Sequence, residues 1–174
     1  MQGLEQKIRN VQDFPKQGIG FKDITTLLKD GKAFQDCIDE LANNINAREI
    51  DVIVGTESRG FIFAAALAYK LGIGFVPVRK PGKLPAETIK EEYELEYGTD
   101  SLEIHVDAIN DGQRVLIIDD LLATGGTVVA TVNLVERLHG KVVGVGFLIE
   151  LTFLNGRDKL KSYPVFSLIK YDSE

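Results

Sequence analysis

The chain has 174 residues, and 26 acidic residues against 20 Lys and Arg give it a formal net charge of −6. That length predicts one domain with a substantial core. The negative charge argues against a sequence-blind binder of nucleic acid or of an anionic membrane surface, because the summed field repels polyanions. The single cysteine, Cys37, excludes an internal disulfide. The polar amino end and the short apolar runs predict a soluble, cytoplasmic protein without a targeting segment.

The predicted elements alternate between helices and strands. Residues 31–47 carry apolar side chains at helical spacing, namely Phe34, Ile38, Leu41 and Ile45. The elements that follow are a strand over 50–54, a helix over 61–72, a strand over 73–80, a strand over 114–118, a helix over 127–138 and a strand over 142–149. Continuous apolar runs in the strands are typical of a parallel sheet covered on both faces. We therefore predict an α/β fold, a doubly wound parallel sheet, in a single domain over residues 1–174.

One segment departs from this alternation. Apolar residues occupy every second position over 89–97 and again over 102–108, with the turn-forming sequence GTDS between them, which predicts a β-hairpin. The loop RKPGKLP precedes the hairpin and carries Arg79, Lys80 and Lys83. A long insertion of this kind is typical of a lid over an active site, and an ordinary solvated hairpin is the alternative.

The sequence VLIIDDLLATGGT, residues 115–127, contains a strand, an acidic pair and a glycine loop that leads into a helix. Gly125 and Gly126 allow backbone conformations closed to other residues, and Thr124 and Thr127 offer hydroxyls. The unpaired N–H groups and the dipole of the following helix favour a phosphate. A nucleoside triphosphatase loop requires a lysine after the glycines, and none follows here. The loop is therefore predicted to hold one phosphate group.

The acidic pair, Asp119 and Asp120, lies immediately before this loop. Two carboxylates near a phosphate repel it unless they accept hydrogen bonds from hydroxyls or face a metal ion. A sugar phosphate meets both demands, with its phosphate in the loop and vicinal ribose hydroxyls on the carboxylates. The same carboxylates would stabilise a sugar carbon that becomes cationic during reaction. The alternative is a strand that ends in a solvated turn.

A hydrolase is a second interpretation, because Ser58, Asp119 and His139 follow the chain order of the triad in α/β-hydrolases. The sequence around Ser58 is TESRG, which lacks the first glycine of G-x-S-x-G. His139 precedes a helix-ending glycine and is more simply a favourable charge near a helix C-terminus. The hydrolase interpretation is therefore the weaker one.

The acidic pair and glycine loop resemble the phosphoribosyl-pyrophosphate signature of type I phosphoribosyltransferases. Other segments are similar to the adenine phosphoribosyltransferases of that group, so that the resemblance covers essentially the whole chain: FPKQGIGFKDITTLL, GTESRGFIFAAALA, RKPGKLP, LEYGTDSLEIHVDAI and FSLIKY. The resemblance implies a doubly wound sheet with an inserted hairpin lid and an N-terminal base-recognition segment. It also implies purine salvage in the cytoplasm by a homodimer. Adenine and phosphoribosyl pyrophosphate would give AMP and pyrophosphate, with Mg²⁺ bound mainly through substrate phosphates and ribose hydroxyls.

The resemblance assigns roles to the residues that match the family's motifs. Contacts with the ribose hydroxyls fall to Asp119 and Asp120. Binding of the 5-phosphate falls to Ala123, Thr124, Gly125, Gly126 and Thr127. Pyrophosphate contacts fall to Arg59, Arg79, Lys80 and Lys83, with Lys83 reaching across from the partner subunit. The peptide between Glu57 and Ser58 is implied to be cis.

Base recognition is implied for the amino-terminal segment GIGFKDI. Phe21 would stack on adenine, and backbone groups near Ile19 and Gly20 would hydrogen-bond its edge. Lys22 is implied to contact substrate as well, but it stands where Arg is frequent in the family. Any contact made by a planar guanidinium is therefore lost at this position.

A non-enzymatic sensor of phosphoribosyl pyrophosphate that controls transcription is a further alternative. Such a protein would carry a basic nucleic-acid-binding module, for which the sequence offers no segment. Glu96 and Tyr97 resemble the family's lid residues that close over the reacting carbon, with Glu96 handling the proton on the base. Their presence favours catalysis, so we expect an enzyme with neither nucleic acid nor membrane as a partner.

Overall fold

The computed structural model describes residues 2–94 and 98–173 of the chain. The strands within these residues are β1 (Arg9–Val11), β2 (Phe21–Asp23), β3 (Val52–Thr56), β4 (Gly74–Val78), β5 (Thr88–Glu94), β6 (Thr99–His105), β7 (Arg114–Leu122), β8 (Lys141–Leu151) and β9 (Val165–Tyr171). The helices are α1 (Gln2–Glu5), α2 (Thr25–Leu28), α3 (Gly31–Asn43), α4 (Arg59–Leu71) and α5 (Gly126–Arg137). Short 3-10 segments lie at Ala47–Glu49, Thr152–Leu154 and Gly156–Leu160.

A five-stranded sheet forms the centre of the fold, with the strand order β4-β3-β7-β8-β9. Every neighbouring pair of strands in this sheet is parallel. The chain adds β4 beside β3 on one side and β8 and β9 beside β7 on the other, so the direction of winding reverses between β3 and β7. Ligands of such sheets bind outside the carboxyl ends of the strands at this switch point. The predicted doubly wound α/β fold is confirmed.

Helices cover both faces of the sheet. On one face, α3 and α4 pack against a core that includes Ile53 and Leu116. On the other face, α5 and the β5–β6 hairpin pack against a core that includes Val54 and Ile117. Successive residues of β3 and β7 therefore point into different cores, which explains why both strands are apolar at consecutive positions.

The helix predicted over residues 31–47 is shorter in the structure. It begins after Asp30, whose side chain accepts a hydrogen bond from the Ala33 N–H at 3.1 Å. It ends at Asn43, where the Asn44 side chain donates to the Glu40 carbonyl at 2.8 Å. Because this amide satisfies a carbonyl that the next turn would otherwise bond, the helix stops before the predicted end.

The predicted hairpin is present as β5 and β6, which pair antiparallel. Leu102 and Ile104 of β6 are fully buried. Glu91 of β5 accepts hydrogen bonds from two side chains of α5, Asn133 at 2.8 Å and Arg137 at 2.9 Å. The arms of the hairpin are thus part of the core on this face of the sheet, and the alternative of an ordinary solvated hairpin is wrong for them.

Three edge and terminal strands lie outside the predicted elements, as do the short helices α1 and α2. β9 adds an edge strand beside β8, and β1 pairs with β2 in a small antiparallel sheet. Within residues 2–94 and 98–173, the helices are too short or too polar to cross a membrane.

Candidate functional site

A cavity of about 440 Å³ opens at the carboxyl ends of β3 and β7. It is lined by Phe21, by residues 57–59 at the start of α4, and by residues 119–128 from the end of β7 into the first turn of α5. The switch point of the sheet thereby brings the acidic pair, the glycine loop and Arg59 together. A cavity of about 330 Å³ between α1 and α3 holds none of the predicted site residues, and its two lysines are paired with aspartates in its own lining.

The acidic pair is nearly buried, with 9% of Asp119 and 6% of Asp120 exposed. Oδ1 of Asp119 accepts a hydrogen bond from the Asp120 N–H at 2.8 Å. Burial raises the pKa of both carboxyls, and the charge of Asp120 raises the pKa of Asp119 further. Arg59 opposes the shift and lowers the pKa of Asp120. A hydroxyl donor or a cation entering the cavity would therefore favour the charged form of the pair.

Arg59, the first residue of α4, supplies the positive charge beside this pair. Its Nη2 lies 2.6 Å from Oδ2 of Asp120. The two groups are not aligned for a hydrogen bond, and this buried oxygen has no hydrogen-bond partner within the described part of the chain. Oδ2 is ion-paired with Arg59, and its remaining lone pairs are open to a hydrogen-bond donor that enters the cavity.

Gly60 is a structural requirement of the site that the sequence analysis missed. A Cβ built on it would lie 2.5 Å from Oδ1 of Asp119 and 3.3 Å from the Asp119 Cα. Only glycine lets α4 approach the end of β7 this closely. In the sequence Gly60 stands at the end of the predicted loop before the helix of residues 61–72, where a glycine is an ordinary loop residue and gives no signal of the close contact.

The loop from Ala123 to Thr127 joins β7 to α5. Gly125 has a left-handed conformation with a φ of 82°, and Gly126 is the first residue of the helix. The N–H groups of the first helical turn have no partners within the helix, and the residues that carry them line the cavity. This arrangement suits an anion.

Backbone from two other segments packs against the loop. A Cβ on Gly126 would lie 3.2 Å from the Glu94 carbonyl oxygen, and a Cβ on Gly125 would lie 2.8 Å from the Gly156 carbonyl oxygen. No motif marks Gly156 in the sequence, since Asn-Gly is an ordinary turn signal. The loop is therefore confined on both sides by main chain.

Arg79 does not line the cavity but pairs with Glu57, which does. Nε and Nη2 of Arg79 donate to the two carboxylate oxygens at 3.1 and 3.2 Å, and Nη1 donates to the Lys83 carbonyl at 3.2 Å. Burial acts to raise the pKa of Glu57, but hydrogen bonds from Arg79 and a backbone N–H outweigh it and hold the pKa below its ordinary value. The Glu57–Ser58 peptide is cis, as the resemblance implies.

Lys80 is likewise paired with carboxylates. The backbone N–H of Lys80 donates a hydrogen bond to the Glu57 carboxylate at 2.9 Å. Its ammonium donates to the Tyr93 hydroxyl at 3.0 Å and to the Asp100 carboxylate. Lys83 is exposed on the same loop. The three predicted basic residues thus lie on one loop near Glu57, outside the cavity lining.

Phe21 lines the cavity on the side of the amino-terminal segment. The Arg59 guanidinium lies 4.9 Å from its ring centroid, and the Phe14 ring meets it edge-on at 5.1 Å. The Ile19 N–H donates to the Lys16 carbonyl at 3.2 Å, and the Ile19 carbonyl accepts from the Phe14 N–H at 3.1 Å. Both backbone groups of Ile19 are therefore already bonded within this segment.

Lys22 and Gly20 lie beside the cavity rather than in its lining. The buried Lys22 ammonium donates to Oδ1 of Asn10 at 3.2 Å and lies 4.2 Å from the Tyr171 ring centroid. The Lys22 carbonyl accepts a hydrogen bond from Nη1 of Arg59 at 3.4 Å, so the main chain of Lys22 helps to hold the Arg59 side chain in place. Gly20 lines a smaller neighbouring cavity. Glu96 and Tyr97 lie outside the described residues.

The hydrolase interpretation is wrong. Ser58 and Asp119 both line the cavity, but His139 follows the far end of α5, whose first residue contributes to the cavity lining. A helix of 12 residues is about 18 Å long. His139 therefore cannot reach Ser58 as a general base.

Comparisons with known proteins agree with this geometry. Residues 25–172 match the family model for the phosphoribosyl transferase domain. The chain is 65% identical to adenine phosphoribosyltransferase of Alkaliphilus metalliredigens, over 97% of this chain and 99% of the relative. It is similar to the crystal structure of adenine phosphoribosyltransferase from Thermoanaerobacter pseudethanolicus, with a TM-score of 0.95 and 61% identity over 98% of this chain and 99% of the other. The yeast Saccharomyces cerevisiae enzyme, crystallised with adenine and an imino-altritol bisphosphate, has a TM-score of 0.88 at 44% identity, over 95% of this chain and 96% of the other.

Proposed function

The chain belongs to the adenine phosphoribosyltransferase family, and we propose that the cavity between β3 and β7 is the place where it performs that family's reaction. The reaction transfers the 5-phosphoribosyl group from phosphoribosyl pyrophosphate to adenine and gives AMP and pyrophosphate, a step of purine salvage. One observation carries the proposal. A buried acidic pair, an arginine and the glycine-rich start of a helix line a single cavity, which matches the ribose, pyrophosphate and 5-phosphate groups of one substrate.

The 5-phosphate binds at residues 123–127 in this proposal. The first turn of α5 offers free N–H groups and the positive end of the helix dipole. The hydroxyls of Thr124 and Thr127 add donors without adding charge. The loop has no lysine, so its backbone N–H groups and the two threonine hydroxyls together supply the binding.

The ribose lies over Asp119 and Asp120. Oδ2 of Asp120 is buried and ion-paired with Arg59, and its remaining lone pairs could accept a hydrogen bond from a ribose hydroxyl. As the bond to pyrophosphate lengthens, positive charge develops on the sugar carbon. The two carboxylates stabilise that charge, and they do so without forming a covalent bond to the sugar.

Pyrophosphate departs toward Arg59 and the loop that carries Arg79, Lys80 and Lys83. Arg59 already stands at the cavity, where it neutralises part of the acidic pair. Arg79 and Lys80 are held by Glu57 and Asp100, so they must exchange these carboxylates for phosphate oxygens. Lys83 would contact pyrophosphate in the partner subunit of a homodimer.

Magnesium fits this site as a substrate-bound ion. Among the residues that the structure describes, no cluster of three or more His, Cys, Asp or Glu could hold a metal ion by itself. Mg²⁺ commonly keeps waters and substrate phosphate oxygens as ligands beside one or two carboxylates, and Asp119 and Asp120 are carboxylates of that kind. When bound, the ion neutralises charge on the departing pyrophosphate.

Adenine stacks on Phe21 in this proposal, and its edge meets backbone groups between Ile19 and Lys22. Because Ile19 uses both backbone groups within its own segment, Gly20 is the better candidate for the hydrogen bonds to the base. Glu96 and Tyr97 would close over the reacting carbon, with Glu96 handling the proton on the base. The enzyme would work in the cytoplasm as a homodimer of single-domain subunits, each spanning residues 1–174.

Steady-state turnover with adenine, hypoxanthine and guanine tests the proposed function. A pocket that hydrogen-bonds adenine presents an acceptor to its amine and a donor to the neighbouring ring nitrogen, and hypoxanthine reverses both. Because the wrong base leaves buried polar groups unpaired, kcat/KM should favour adenine by roughly 10⁴-fold or more. Comparable efficiency with adenine and hypoxanthine would contradict the assignment of the base and leave only a phosphoribosyltransferase.

A further inference from the structure

An ion pair between the buried Glu150 and the partly exposed Arg157 lies next to the glycine loop, outside the cavity lining. Glu150 near the end of β8 is 4% exposed, and its two carboxylate oxygens accept hydrogen bonds from Nε and Nη2 of Arg157 at 2.7 and 2.5 Å. The Ser167 hydroxyl contacts the same carboxylate and accepts from Arg157 at 2.9 Å, while Nη1 of Arg157 donates to the Val165 carbonyl at 2.9 Å. The guanidinium is therefore held to both β8 and β9, in a geometry that favours a bidentate arginine.

Gly156, the residue before Arg157, contacts the glycine loop directly. A Cβ built on Gly156 would lie 2.1 Å from the Ala123 carbonyl oxygen and 3.0 Å from the Gly125 nitrogen. Main chain thus meets main chain, with no side chain between them that could absorb a shift. A displacement of Gly156 must move the segment from Ala123 to Gly125 as well.

We propose that Glu150 and Arg157 are positioning residues of the 5-phosphate site. The ion pair fixes Gly156, and Gly156 fixes the loop whose N–H groups bind the phosphate. Neither charged residue lines the cavity, so neither is a catalytic residue. The inference rests on the proposed function, because it takes residues 123–127 as the 5-phosphate site.

A purely structural role would give a different result from a positioning role. Loss of a structural ion pair lowers the melting temperature and the fraction of folded protein, and it affects all ligands equally. Loss of a positioning pair turns the N–H groups of the loop away from the phosphate, and a misplacement of about 1 Å can cost up to roughly 100-fold. It should weaken the binding of ligands that carry a 5-phosphate and leave the binding of pyrophosphate unchanged, because pyrophosphate binds on the other side of the cavity.

Calorimetric titration of the full chain with ribose 5-phosphate and, separately, with pyrophosphate and Mg²⁺ provides the test. Arg157→Leu should raise the Kd for ribose 5-phosphate about 10-fold or more, and the Kd for pyrophosphate should change less than about 2-fold. Arg157→Lys keeps the charge but loses the planar fork, so it should restore part of the loss.

Arg114→Leu is the control, matched at the arginine although its partner Asp51 is more exposed than Glu150. The side chains of Arg114 and Arg157 are both 39% exposed, and each donates to a carboxylate through two nitrogens and to a main-chain carbonyl through the third. Arg114 pairs with Asp51 at the amino end of β7, away from the cavity. This control should leave the ratio of the two Kd values unchanged, whatever its effect on stability.

The results separate failure of the inference from failure of the proposed function. A double variant, Thr124→Val with Thr127→Val, should bind ribose 5-phosphate more weakly if the loop holds its phosphate. If this variant weakens the ligand and Arg157→Leu does not, or if Arg157→Leu weakens both ligands equally, the inference is wrong and the function stands. If the loop variant binds ribose 5-phosphate normally, the phosphate site itself is misassigned. Should Arg157→Leu fail to fold, the ratio of the two Kd values is measured with Arg157→Lys, and an unchanged ratio in that variant would contradict the inference.

Discussion

The guanidinium of Arg59 lies 2.6 Å from the carboxylate of Asp120, and this contact joins the first residue of α4 to the end of β7. It places a positive charge between the ribose and the pyrophosphate positions of the proposed site. Arg59 also lies over the Phe21 ring, so a single side chain contacts both the acidic pair and the proposed base platform. Changes to the acidic pair should therefore act on catalysis more than on folding.

The acidic pair should be needed for turnover. Asp119→Asn combined with Asp120→Asn keeps the shape of both side chains but removes the charge that, in the proposed function, stabilises the sugar cation. We expect turnover to fall at least about 100-fold, which corresponds to about 2.7 kcal/mol of transition-state stabilisation. Asp107→Asn with Asp111→Asn removes the same charge from exposed positions and should leave turnover nearly unchanged. Near-normal turnover in a folded Asp119/Asp120 variant would refute the ribose assignment.

Asp119 should lower stability at neutral pH. Burial and the charge of Asp120 raise its pKa in the folded protein above its ordinary value of 3.8, so the native state binds a proton more tightly than the unfolded chain. Stability must then fall as the pH rises from about 3.8 through the folded pKa. Asp119→Asn removes this cost, and its melting temperature at pH 7 should exceed that of the wild type by about 2 °C or more.

The gain from Asp119→Asn should shrink toward pH 4, where the wild-type carboxyl is protonated. Differential scanning calorimetry between pH 4 and pH 8 measures the difference. A melting temperature at pH 7 equal to or below that of the wild type would show that other contacts stabilise the charged carboxylate.

Gly60 should tolerate no side chain. Gly60→Ala places a Cβ 2.5 Å from Oδ1 of Asp119, so either α4 or the carboxylate must move. We expect a loss of about 1–3 kcal/mol in the free energy of unfolding, together with a clear drop in kcat/KM. Gly31→Ala is the control at the start of another helix, where no heavy atom lies within 4 Å of the new Cβ. It should be neutral or stabilise the protein by up to about 1 kcal/mol. Equal effects from both substitutions would contradict the close-approach argument.

Phosphoribosyl pyrophosphate with Mg²⁺ should protect the basic loop from trypsin. Lys83 is exposed, and its carbonyl is held by Arg79, which would change partner when pyrophosphate binds. Cleavage after Lys83 should slow at saturating ligand, because a loop that contacts ligand opens less often. Lys90 should resist cleavage in both states, since it lies within β5, where the backbone is paired with β6. Cleavage at exposed Arg48 is the internal control, and an unchanged rate at Lys83 would argue against loop closure.

The core strands and the segment of residues 119–127 can both be predicted from the sequence, because the residues that form each of them are consecutive in the chain. β7 and the loop of residues 123–127 occur in one motif, so their chemistry is visible without knowledge of the fold. β1 and β2 have three residues each and only form a sheet by pairing with each other. Short polar strands of this kind carry no periodic signal.

The contacts that shape the site are mostly between residues distant in the sequence. Glu57 pairs with Arg79, which lies 22 positions along the chain, and Gly156 packs on Ala123. Neither pair has a local pattern, because each forms only when two strands separated in the sequence by a helix pair in the sheet. The basic residues Arg79 and Lys80 are predictable as candidates, but their carboxylate partners are known only from the structure.

Arg79 is ion-paired with Glu57, and Lys80 is ion-paired with Asp100. Pyrophosphate bound by these cations would have to displace the two carboxylates, and its departure would let the original ion pairs form again. The free energy of the exchange is then the difference between two ion pairings rather than the full strength of either. Product release limits turnover in many enzymes, and here a departing pyrophosphate would leave no uncompensated positive charge behind it.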